Sequence, residues 1–141
     1  SVSGPGNDES PPTLAYWHVW VDAQGVSRQS RRELTGFTRQ SMGGAAPLWN
    51  AVLGPPPRRL VCAVLPVAWQ GDWHENPAPQ WIVPLSGRWF VETMDGSRVE
   101  MGKGELSFGG DQGCKADATG RKGHRSGTVG REPAVLLLVQ V

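Results

Sequence analysis

A chain of 141 residues with 19 Gly, 12 Pro and 38% hydrophobic residues suits one domain rich in turns and leaves little room for long helices. Its net charge of +1 gives no electrostatic pull toward nucleic acid or an anionic membrane, and no apolar run is long enough to span a bilayer. Two separated cysteines, Cys62 and Cys114, make neither a disulfide framework nor a zinc knuckle, so a reduced, cytoplasmic protein is expected.

Residues 1–13, SVSGPGNDESPPT, contain one core-forming residue, Val2, and read as a disordered tail or a tag remnant. Residues 14–141 are expected to form a single domain. From Leu14 the run Leu-Ala-Tyr-Trp-His-Val-Trp-Val, then Asp-Ala-Gln-Gly, signals a strand and hairpin. His18 falls on the surface or edge of that strand. Arg28, Arg31 and Arg32 beside Glu33 read as a solvated face. Residues 43–57 carry GGAAP and GPPP and leave room for a short helical turn around Leu48 to Leu53.

The rest is a succession of short strands. Residues 60–65 form a continuous apolar run, expected to be buried on both faces or nearly so. Strands follow at 81–85 and 89–93, an Asp-Gly hairpin turn at Asp95-Gly96, and a return strand at 98–101. Gly102-Lys103-Gly104 turns the chain into 105–108, a polar loop runs to Lys122, and strands at 124–129 and 134–141 close the set. Turn signals every eight to twelve residues or so indicate an all-β sandwich or barrel.

There is no Gly-x-x-x-x-Gly-Lys-[Ser/Thr] phosphate loop, no Gly-x-Ser-x-Gly elbow and no Cys-x-x-Cys. His74-Glu75 does not begin a zincin helix, because Ala78 stands four residues on and Pro77 and Pro79 break a helix. What remains is His74, Asn76, Gln80 and His124 on strands or their ends. Imidazole and amide groups turned into a barrel need partners or water. Two readings stay open for His74: a structural histidine hydrogen-bonded to Gln80, or a ligand-binding or catalytic group. His124 supports a turn or lines a pocket. Asp111, Gln112, Lys115 and Asp117, on the loop before it, serve function or simply keep the loop in water. By alternation Trp81 and Trp89 face opposite ways, one into the cavity and one outward.

The pattern His74-x-Asn76-x-x-x-Gln80-(six residues)-Gly87 resembles the first motif of the cupin superfamily, His-x-His-x-x-x-Glu-(six residues)-Gly. Gly102-Lys103-Gly104 falls where the second motif has Pro-x-Gly. Trp73, His74, Gln80, Gly87, Gly123, His124 and Arg125 further match a group of short single-domain cupin proteins, mostly of unassigned activity. Their motifs run Trp-His-x-x-Pro-x-x-Gln and end Gly-His-Arg; Pro77 stands here in HENP rather than the commoner HPAP. The resemblance covers residues 60–141, with a weaker echo from Tyr16. It implies a cupin-type double-stranded β-helix, the jelly-roll barrel.

The departures shape the expected chemistry. Metal-dependent cupins hold their metal with three histidines and a carboxylate; here those positions carry His74, Asn76, Gln80 and Ser107. Neutral amides replace an imidazole and a carboxylate poorly around a transition metal, so the set allows only a weak divalent-metal site from His74, His124, Gln80 and water. The resemblance implies a small-molecule pocket. In it His74 acts as acid or base, Gln80 as its orienter and His124 as second base or anion partner, with Trp73, Asn76, Trp89 and Ser107 contacting the ligand. Isomerase, dehydratase or lyase chemistry on a small organic acid, sugar or aromatic compound fits this equipment. The alternatives are a non-catalytic binding or sensing module, and a metal-dependent oxygenase or isomerase with a reduced ligand set. A homodimer through the apolar terminal strands is compatible with each.

Overall fold

The computed structural model describes residues 2–3 and 10–141, and among these there is no helix. The strands in chain order are β1 (Val2–Ser3), β2 (Thr13–Val21), β3 (Ser27–Leu34), β4 (Thr38–Gln40), β5 (Leu48–Asn50) and β6 (Arg59–Leu65). They continue with β7 (Gln80–Ser86), β8 (Arg88–Thr93), β9 (Arg98–Gly102), β10 (Leu106–Gly109), β11 (His124–Val129) and β12 (Ala134–Gln140). Of the expected tail, β1 pairs with the start of β2 through Val2 and Leu14. Residues 1 and 4–9 of that tail lie outside the described residues.

Seven strands form the large sheet, in the order β1-β2-β10-β7-β12-β6 with β3 on the other side of β2. The pairing of β10 with β2 is parallel and the others are antiparallel. A second sheet runs β11-β8-β9, and β4 and β5 make a separate ribbon. The residues just before β7 extend the second sheet: Gln70 bridges Gly127, and His74 bridges His124.

Strand alternation builds one core between the sheets. Val19, Ile82 and Leu136 from the large sheet meet Trp89, Val91 and Met101 from the small one, with Leu65 and Ala134 completing the cluster. β3 ties the sheets together with polar groups. Gln29 Nε2 donates to the carbonyls of Val91 and Ser97, and the fully buried Ser27 hydroxyl donates to the Gly123 carbonyl while accepting from Met94 N–H. Gly87, with φ +71°, links β7 to β8 where a Cβ would collide with the Pro133 carbonyl, so the crossing between sheets needs glycine.

Two segments differ from the sequence reading. Leu48 opens a strand, β5, rather than a helical turn, because Thr38–Gln40 lies alongside to pair with it. The apolar run 60–65 is not buried on both faces. Among the described residues β6 is an edge strand paired with β12, and alternation leaves Leu60 65% and Val64 60% exposed, with Cys62 exposed between them. Continuous apolarity marks a strand but does not distinguish one covered by protein from one that is open.

Candidate functional site

The site is built where the second sheet's extra edge meets β11. His74 and His124 exchange both backbone hydrogen bonds, each N···O 2.9 Å. Directly paired residues of an antiparallel bridge point to the same side, and the two rings lie 4.7 Å apart, tilted by 49°. Gly123 permits this approach. Its φ is +81° and a Cβ there would strike the His74 carbonyl.

The two histidines have different surroundings. His74 is exposed, and its Nδ1 lies 2.8 Å from the Asp72 carbonyl, which makes Nδ1 the protonated nitrogen of the neutral ring. His124 is 5% exposed, and its Nδ1 lies 2.6 Å from Asp111 Oδ2. Asp111 has no solvent exposure. An ionised carboxylate only accepts hydrogen bonds, so Nδ1 of His124 carries the hydrogen and Nε2 is left as the ring's second nitrogen. No hydrogen bond among the described residues engages that Nε2.

The other carboxylate oxygen of Asp111 accepts from both the backbone N–H and the Nδ2 of Asn76, at 2.9 and 2.8 Å. Asn76 Oδ1 in turn accepts from Gln80 Nε2 at 2.7 Å, and Gln80 Oε1 accepts from Gln140 Nε2 at 3.2 Å. Every donor in this row points toward Asp111. Burial alone would raise the Asp111 carboxyl; the His124 hydrogen bond and charge, with the two Asn76 N–H bonds, outweigh it and hold the group below its ordinary value. Gly109 makes room for the row, since a Cβ there would overlap the Asn76 carboxamide.

The expected site residues therefore fall into three places. His74, His124, Asn76 and Gln80 come together, although Gln80 bonds Asn76 rather than His74. Ser107 and Trp89 lie in the core between the sheets, 0% and 3% exposed, and neither the Ser107 hydroxyl nor the Trp89 indole N–H has a partner among the described residues. Trp73 is turned away from His74 by strand alternation, toward the guanidinium groups of Arg121 and Arg125, which lie 5.1 and 5.7 Å from its ring centre. Arg121 is held there by Asp117, whose carboxylate gathers the Thr119 hydroxyl and the Arg121 N–H groups.

Asp111 is one of four loop residues, with Gln112, Lys115 and Asp117, whose role the sequence leaves undecided. Its flanks, Gly109-Gly110 before and Gly113 after, carry the one available signal: glycines let backbone pack closely around a side chain. For a metal, the amide of Gln80 is engaged at both ends and Asp111 is engaged at both oxygens. Among the described residues no group of three His, Cys, Asp or Glu side chains converges to hold an ion. What remains is a pair of imidazoles, His74 exposed and His124 buried beside it.

Trp81 lies on the other face of the large sheet. It stacks edge-on against Tyr16 and Phe108, at 5.1 and 4.9 Å, and its indole N–H donates to the Leu53 carbonyl at 3.0 Å. His18, expected at a strand surface or edge, is half-buried beside Phe108 on a strand paired on both sides, and burial lowers its pKa, as does nearby Arg32. A cavity of about 510 Å³ adjoins Trp81 under residues 52–57. No helix among the described residues is long and apolar enough to cross a membrane. Neither a family model nor a curated protein sequence matches the chain.

Proposed function

We propose that the chain is a single-domain cupin-type jelly-roll barrel that binds a small molecule and performs acid–base chemistry on it at the paired His74 and His124. The all-β, two-sheet architecture supports the barrel, as do the spacing from His74 to Gly87 and the Gly102-Lys103-Gly104 turn. The contact that carries the chemical reading is the 2.6 Å hydrogen bond from His124 Nδ1 to the buried Asp111 carboxylate. A base oriented by a buried carboxylate is a recurring device for proton transfer.

In this reading His124 Nε2 takes a proton from a substrate carbon or hydroxyl, and His74 exchanges a proton at the neighbouring position. Asn76 and Gln80 act as positioning residues that hold Asp111 and do not touch substrate. Two proton carriers side by side suit isomerisation, dehydration or elimination on a small organic acid, sugar or aromatic compound. The exposed apolar side chains of β6, Leu60 and Val64, support a homodimer, and the chain's charge and cysteine usage fit a cytoplasmic setting.

The second reading is a non-catalytic binding module. It is favoured by the cavity of about 510 Å³, which lies beside Trp81 rather than at the histidines.

The test is deuterium incorporation into candidate hydroxy acids, keto acids and sugars in D2O, followed by NMR. The wild-type protein should label at least one substrate class, His124→Gln should abolish labelling, and Asp111→Asn should slow it with the fold retained. An absence of labelling by any form, together with saturable binding of a neutral aromatic compound at the cavity beside Trp81, favours the binding module.

A further inference from the structure

The cavity beneath residues 52–57 is independent of the histidines. Its floor is the outer face of the large sheet, with Trp81 and Val83 from β7, Leu106 at the start of β10, and Val139 and Val141 at the end of the chain. Its roof is the strap Val52-Leu53-Gly54-Pro55-Pro56-Pro57. The volume of about 510 Å³ falls inside the range of roughly 300–1,000 Å³ usual for small-molecule sites.

Two features keep this space open. The Trp81 indole N–H donates to the Leu53 carbonyl at 3.0 Å and fixes the strap's height over the sheet. Three successive prolines then restrict the strap's backbone and remove three N–H donors, so that stretch cannot settle onto the sheet as another hydrogen-bonded strand. The same chemistry decides what fits. Among the described residues no charged side chain lines the cavity, and the proline stretch offers carbonyl oxygens without N–H groups. A carboxylate, sulfonate or phosphate placed there would lose its water and gain no cation. A neutral hydrocarbon or aromatic molecule loses little, and a single hydroxyl or amine on it finds carbonyl acceptors.

We propose that this cavity is a second binding site, selective for a neutral, predominantly hydrocarbon or aromatic small molecule and closed to its anionic counterparts. The experiment uses two fluorophores with one ring skeleton, N-phenyl-1-naphthylamine and its 8-sulfonate, titrated into the full chain. The neutral dye is expected to bind saturably at one per chain, and the sulfonate about tenfold more weakly or worse. Val83→Trp, which fills the floor, should abolish binding of the neutral dye. His124→Gln should leave it unchanged, and thermal melts confirm that both variants fold. Leu106→Trp repeats the filling test from a different strand.

Equal binding of both dyes, or binding that survives both filling variants, overturns the site, as does an absence of saturable binding. Sedimentation at two protein concentrations covers the remaining occupant: a dimer that excludes the dye and dissociates on Val83→Trp assigns the face to a second copy and overturns the proposal.

Discussion

Gln80 and Trp81 are neighbours in the chain and belong to opposite regions of the molecule. Gln80 turns inward and joins the polar row that ends on Asp111 and His124, whereas Trp81 turns outward and supports the apolar cavity. At the far end of β12, Gln140 and Val139 repeat the division. The inner region is specified by hydrogen bonds with every partner fixed. The outer one is specified by shape, with a single hydrogen bond from Trp81 to the strap. Removing one group should therefore disturb the first region globally and the second locally.

The largest effect is expected at Asp111. Asp111→Ala leaves Asn76 with two buried N–H groups and His124 with a buried Nδ1 lacking acceptors, and should cost about 3–5 kcal/mol of stability, read from urea unfolding. Gly123→Ala comes next. Backbone strain at φ +81° costs of order 1–3 kcal/mol and the clash with the His74 carbonyl adds to it, so the two histidine rings should also separate in NMR contacts.

Acid sharpens the contrast. Because the folded Asp111 carboxyl titrates below its unfolded value of about 3.9, its contribution to stability is complete above that pH. That contribution drains away as pH falls through the lower folded value. The acid limb of a stability–pH curve should thus flatten in Asp111→Asn, whereas the apolar cavity has no titrating side chain and dye binding there should not follow the same limb. The smallest effect belongs to Trp81→Phe, which keeps most of the ring and loses the bond to Leu53, costing about 1 kcal/mol. Its signature is local: faster hydrogen exchange around residues 52–57 with the Asp111 row unchanged.

Much of the strand order was legible because turn residues punctuate it. Asp95-Gly96 and Gly102-Lys103-Gly104 lie at the ends of β9, and Trp89 and Val91, two residues apart on β8, share the core face. The opposite placements of Trp81 and Trp89 depend on the crossing between sheets at Gly87, since along one strand residues an even eight apart would share a face. Local pattern could not reveal what depends on neighbours distant in sequence. β6 has the composition of a buried strand and lies open because no layer among the described residues covers the face that carries Leu60, Cys62 and Val64. His74 and Gln80 were readable as a motif, but their partners were not: Gln80 reaches Asn76, and Asp111, 35 residues from Asn76, is brought in by the β10 register. A lone aspartate in a glycine-rich loop has no periodicity to announce burial.

The tautomer of His124, measured by long-range nitrogen–proton correlation NMR, tests the account most directly. The neutral ring of the wild-type chain should show a protonated Nδ1 and an unprotonated Nε2, with that preference lost in Asp111→Asn. A protonated Nε2 in the wild type, or identical nitrogen shifts in the two proteins, would contradict the assignment of Asp111 as the residue that prepares His124 for proton transfer.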